Sequence, residues 1–165
     1  MGGAVFSFPG RDYVLVGLML FLPLWDRGWR LPKPLLHRRY ILITLGLLAT
    51  AATLLAWRPS FQAYAATTLL MAALPEEWFF RVYFMPLLGE GLRANVIASV
   101  LFSLMHGLTR GWAVALAVFL PSLFYGWLYQ RTRDLSLLVL VHTLSNLVFA
   151  MFLSDLMATG MPILR

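Results

Sequence analysis

"LPEEWFFRVYF", residues 74–84, places two adjacent carboxylates, Glu76 and Glu77, and the guanidinium of Arg81 inside a long apolar stretch. Whether that stretch crosses a bilayer decides the fold. A charge at the centre of a spanning helix costs about 2.5–3.5 kcal/mol on insertion scales, so it normally faces a cavity and a partner. Of the 165 residues, 61% are hydrophobic and 12% charged, against about a quarter charged in soluble domains. Mean hydropathy is +0.78. These values describe an integral membrane protein.

Outward from residues 74–84, the apolar runs are 13–25, 40–57, 61–88, 95–106, 112–130 and 135–153. Spans of about 20 residues consume nearly all of a chain this long. The expected fold is an all-α, polytopic transmembrane bundle of about six helices, forming a single integral-membrane domain over residues 1–165. The run 13–25 is short and carries Pro23, which suits either a tilted first span or an interfacial helix. Pro75 has no N–H to give to the carbonyl of Met71 and its ring crowds that turn, so one helix is expected to break near it. In lipid such a break is tolerated where protein or a water-filled cavity satisfies the freed backbone, which predicts a wet pocket around Glu76.

The net charge of +6 raises the possibility of nucleic acid. The basic residues, however, lie in short loops between apolar runs and form no aromatic-studded patch, so a membrane topology signal explains them better. If the loop 26–39 is cytoplasmic, that side holds Arg27, Arg30, Lys33, Arg38, Arg39, Arg93, Arg131 and Arg133. The other side holds Arg11, Arg58, Arg110 and Arg165, with Arg81 inside. Eight against four places both termini outside if 13–25 spans. His37 reads as part of the solvated basic loop. No cysteine is present, which removes disulfides, thiolate nucleophiles and Cys-ligated metals. The opening "MGGAVFSFPGRDY" lacks the pattern of a removable signal peptide, and Phe6 stands where myristoylation wants Ser or Thr.

The polar residues inside the apolar runs are few and ordered. Besides Glu76, Glu77 and Arg81, they include His106 in "FSLMH" and His142 with Asn146 in "HTLSN". At 1.5 Å per residue, Glu77 lies about 18 Å in from Gly89, and His106 about 16 Å in from Asn95. Asn146 lies about 16 Å in from Leu135, with His142 one turn shallower. Three helices therefore deliver polar groups to nearly one depth. Glu77 and Arg81, four apart, share a face and can neutralise each other. Glu76, rotated about 100° away, keeps its carboxylate free. His142 and Asn146 point the same way, as do Phe102 and His106. Ser103 and Ser145 read as helix packing.

"EEWFFR", "FSLMH" and "HTLSN" fit EExxxR, FxxxH and HxxxN in the order and approximate spacing of the CAAX protease and bacteriocin-processing family, whose best-known members are the type II CAAX prenyl endopeptidases. The chain resembles that family over about residues 61–150. The resemblance implies a glutamate-dependent intramembrane endopeptidase of the bacterial cytoplasmic membrane. In it Glu76 is the general base that activates a water, His106 helps hold that water, and His142 and Asn146 stabilise the oxyanion. Glu77, Arg81 and Phe102 support them. The implied partners are the lipid bilayer and a membrane-anchored protein or peptide, with a CAAX-like terminus or a C-terminal sorting or anchoring segment. No cofactor is expected. The alternative is a zinc site on Glu76, His106 and His142. Two other classes also use intramembrane charges: a proton-coupled transporter, and a non-catalytic membrane partner that keeps the fold without turnover.

Overall fold

The computed structural model describes residues 9–30 and 38–153. Lys33, His37 and Arg165, which enter the reading of the basic loop and the termini, lie outside them, as does Phe6. The described residues form six helical runs and no strand. These are α1 (Arg11–Trp25), α2 (Arg38–Trp57), α3 (59–87), α4 (Leu92–Arg110), α5 (Trp112–Thr132) and α6 (135–153). Among the described residues four helices are long and apolar enough to cross a membrane: Tyr40–Trp57, Leu92–Arg110, Trp112–Thr132 and Leu135–Phe152. The protein is an all-α integral membrane bundle.

The turns follow from local chemistry. Gly91 and Gly111 take φ of 87° and 102° at the two ends of α4, a region that side chains with a Cβ avoid. Asp134 accepts a hydrogen bond from the Leu137 amide at 3.1 Å and so caps α6. The surface around the bundle is apolar, with Leu116, Leu120, Leu101 and Leu104 among many exposed aliphatic side chains. Lipid is the solvent such a surface needs, since acyl tails ask for no hydrogen bond.

α3 carries the charged residues, and its backbone is unusual. A 3₁₀ turn (Pro59–Phe61) leads into an α segment (Gln62–Thr68), a π segment (Leu69–Ala73) and one α turn (Leu74–Glu77). A second π segment (Trp78–Phe84) and an α turn (Met85–Leu87) complete it. The interruption expected at Pro75 takes this form: the chain stays helical and the hydrogen-bond ladder changes register. The Leu74 amide donates to the Leu69 carbonyl, five residues back. The wider turn makes room for a ring that would otherwise strike the preceding turn.

Contacts at the ends of the helices sort them into two faces. On one, the Tyr40 hydroxyl donates to the Arg131 carbonyl at 3.2 Å, Gln130 donates to the Gly91 carbonyl at 2.9 Å, and Arg133 pairs with Glu90. On the other, Arg11 donates to the Thr109 carbonyl at 2.9 Å, and Arg58 lies over Trp57 and Phe152. This is the division that the distribution of Lys and Arg predicts. α1 runs from the second face to the first beside α3, where Trp78 donates to the Leu20 carbonyl at 3.3 Å and Tyr83 to Asp26 at 3.5 Å. Fifteen residues give it a length of about 22 Å, short of a hydrocarbon core of about 30 Å. It has the direction of a first span without the full length.

Two apolar clusters hold the charged helix in place. Val82 and Met85 of α3 pack with Ala94 and Ala98 of α4, Tyr125 and Tyr129 of α5 and Leu138 of α6. Met19 of α1, Phe80 of α3 and Phe102 of α4 form another. α2 lies outside these, its single helical stripe of Leu47, Ala51, Leu54 and Leu55 packing on Ala65 of α3 and Leu144, Leu147 and Met151 of α6.

Candidate active site

The single α turn between the two π segments of α3 presents Glu76 and Glu77 side by side, and the roughly 100° between successive residues sends them to different partners. Glu77 faces α5 and α6. Its Oε1 accepts a hydrogen bond from His142 Nδ1 at 2.8 Å, and its Oε2 lies 3.5 Å from Arg81 Nε. Glu76 faces α4 and α6. Its Oε1 stands 3.8 Å from His106 Nε2, and its Oε2 stands 3.9 Å from His142 Nε2. Glu76, His106 and His142 retain 7%, 6% and 5% exposure. Separations near 4 Å are too long for direct hydrogen bonds and suit polar groups that share a bridging water.

Each imidazole is oriented by its other nitrogen. His106 Nδ1 lies 3.0 Å from the Phe102 carbonyl, one turn back on α4. A carbonyl only accepts, so Nδ1 carries the hydrogen, and in the neutral ring Nε2 turns a lone pair towards Glu76. His142 Nδ1 gives its hydrogen to Glu77 in the same way, which aims its Nε2 at Glu76. Tyr125 stacks on the His142 ring with centroids 4.9 Å apart and fixes its plane. Phe102 lies 4.4 Å from the His106 ring, centroid to centroid.

Arg81 is fully buried and Glu77 nearly so, at 0% and 1% exposure. The guanidinium Nη2 donates to the Ser122 hydroxyl at 2.7 Å and to the Ser122 carbonyl at 3.2 Å, and its carbon sits 5.3 Å over the Phe102 ring. Arg81 Nε and Nη1 and Glu77 Oε2 make no hydrogen bond among the described residues. The two side chains are therefore held together by charge at 3.5 Å. Glu77 links that cation to His142, so one carboxylate both neutralises Arg81 and orients a histidine ring.

A cavity of about 30 Å³ adjoins Glu76 and His106, with α1 as its far wall and Arg110 at its rim. That volume is enough for a water. It lies on the face that carries Arg11 and Thr109.

The structure thus brings together Glu76, His106 and His142, and beside them Glu77, Arg81 and Phe102. Asn146, one turn beyond His142, is half-buried, and no hydrogen bond joins its amide to Glu76 or to either histidine. Ser145 donates to the Val141 carbonyl at 2.8 Å, a local helix contact. For zinc, bonds of about 2.0 Å in a tetrahedron set ligand atoms about 3.3 Å apart. The Glu76–histidine separations of 3.8 and 3.9 Å are wider. Among the described residues no group of three His, Asp or Glu is arranged to hold a metal ion.

Ser122, Tyr125 and the α1 wall, which also border these residues, do not stand out in the sequence. A serine and a tyrosine in an apolar helix look like packing until α5 is laid against α3 and α6. The i, i+3 spacing of 122 and 125, which puts both on one face, is the one hint.

The chain belongs to the Rce1-like family of type II CAAX prenyl endopeptidases, whose family model matches residues 58–148. That is a family of membrane proteases, and the matched region holds Glu76, Glu77, Arg81, Phe102, His106, His142 and Asn146. A search of curated proteins finds no match, and a search of solved structures finds none.

Proposed function

We propose that the protein is an intramembrane endopeptidase in which Glu76 is the general base. The observation that carries this reading is the convergence of Glu76 Oε1 and Oε2 on the Nε2 atoms of two histidines from two other helices, at 3.8 and 3.9 Å. A water between Glu76 and His106 gives one hydrogen to the carboxylate and the other to the Nε2 lone pair, leaving an oxygen lone pair free to attack. Glu76 takes the proton as the water oxygen bonds to the carbonyl carbon of the substrate. The C–N bond then breaks and the proton passes from Glu76 to the leaving amine. His142, as an imidazolium backed by Glu77, donates from Nε2 to the oxyanion, with Asn146 as a second donor from the same helix face. Each such donor is commonly worth about 10²–10³ in rate.

The reading is metal-free, which the spacing of the carboxylate and the two imidazoles favours over zinc. The substrate is a membrane-anchored protein or peptide, and a CAAX-like terminus or a C-terminal sorting or anchoring segment supplies the extended chain. The family match favours the former kind of terminus. The membrane is the bacterial cytoplasmic membrane. The test is cleavage of a prenylated-cysteine peptide and of an anchored C-terminal segment in proteoliposomes with excess chelator. Wild type cuts at least one of them, and Glu76→Gln is slower by about 10³ or more. Full inhibition by chelator with rescue by zinc would replace the mechanism, and unaltered peptides would defeat the peptidase reading.

A further inference from the structure

The cavity beside Glu76 has a rim that the chemistry above does not use. Its apolar floor is made by Met19, Met71 and Met105, and its rim carries Asp12 and Arg110. Asp12 pairs with its neighbour Arg11 at 2.9 Å. Arg110 is exposed and has no hydrogen bond or ion pair with a described residue. It is four residues beyond His106 on α4, so the two share a face, with the Cα of Arg110 about 6 Å further along the helix axis. An extended peptide advances about 3.3 Å per residue. A chain with its reacting carbonyl between Glu76 and His106 therefore reaches Arg110 about two residues later.

We propose that Arg110 binds a carboxylate of the substrate about two residues from the cleaved bond. The proposal rests on the endopeptidase reading for the location of that bond. The carboxylate is either the substrate's own C-terminus or an acidic side chain, and the guanidinium fork suits both. The methionines beneath it offer flexible, polarizable surface to the intervening apolar side chains. A cation in the last turn of α4 also complements the helix dipole. That role needs no opening onto a cavity, and it makes no distinction between one peptide terminus and another.

The test measures binding to Glu76→Gln protein in detergent, so that turnover is not required. Three short fluorescent apolar peptides are compared: one with a free terminal carboxylate, its carboxamide, and the carboxamide with Asp at the penultimate position. The free acid is expected to bind about tenfold tighter than the plain carboxamide, the order of one charge-assisted contact. Tight binding of the Asp peptide would assign the carboxylate to a side chain as well. Adding Arg110→Gln erases the preference, and adding Arg110→Lys, which keeps the charge and the fold, retains it. Equal binding of all three peptides, or a preference that persists in Arg110→Gln, would overturn the proposal. Failure of the endopeptidase reading shows separately, as wild-type protein that leaves the peptides intact while the preference stands.

Discussion

At the scale of single residues, adjacent glutamates of one type do different work because neighbouring side chains on a helix diverge. Glu77 is committed on both oxygens, to His142 and to Arg81. Glu76 is left beside a cavity with no direct hydrogen bond. Removing one member of a buried pair strands the other charge, a loss of about 3–5 kcal/mol. Arg81→Met is accordingly expected to lower unfolding stability by that amount, and Glu77→Gln added to it to recover most of the loss. Activity in the double variant stays at least about tenfold low, because a neutral amide holds the His142 imidazole less firmly than a carboxylate does. Stability and cleavage measured on both variants check this; parallel recovery of the two would show that Glu77 has a purely structural role. The Glu77–Arg81 pairing was legible from the four-residue spacing. The Glu77–His142 contact was not, because it depends on how far α6 leans over α3.

At the scale of elements, α4 and α5 approach closely enough that one glycine decides their distance. A Cβ on Gly126 would overlap the amide of Asn95. That amide is engaged, donating to the Leu123 carbonyl at 2.8 Å and accepting from Ser99 at 3.3 Å. Gly126→Ala is expected to cost about 1–3 kcal/mol through displacement of Asn95, read as a lower melting temperature in detergent, whereas Gly46→Ala, on the open face of α2, is expected to leave the melting temperature the same or slightly higher. Equal behaviour of the two would refute the close approach. Sequence placed the helices well because runs of apolar residues and glycines mark their extents. It could foretell that Pro75 disturbs α3, since a missing N–H is a local fact. The π register on both sides of Pro75 was out of reach, because a ladder shifted by one residue depends on which neighbours fill the wider turn.

At the scale of the whole molecule, the two faces separate Arg131, Arg133 and Glu90 from Arg11, Arg58 and Arg110. The excess of Lys and Arg predicts that the first face is cytoplasmic. The chain has no native cysteine to interfere, so a membrane-impermeant thiol reagent should label Glu90→Cys from the cytoplasmic side and Arg58→Cys from the opposite side. The reverse pattern would turn the bundle over and with it the mouth of the cavity. The six-helix architecture and the residues of the three motifs were readable in one dimension because intramembrane polar groups are expensive and therefore conspicuous. The α1 wall was not, since its apolar residues look alike whether they meet lipid or a neighbouring helix.

If Glu76 and His106 act on one water, the effects of removing them are coupled. Turnover of the same anchored peptide is measured for wild type, Glu76→Gln, His106→Ala and the double variant. Groups that act as a unit are strongly non-additive. Each single variant is therefore expected to lose at least about 10² in rate, and the double variant to be no slower than the slower single. Losses that multiply in full would exclude a shared water, because two side chains that hold one water cannot be removed twice.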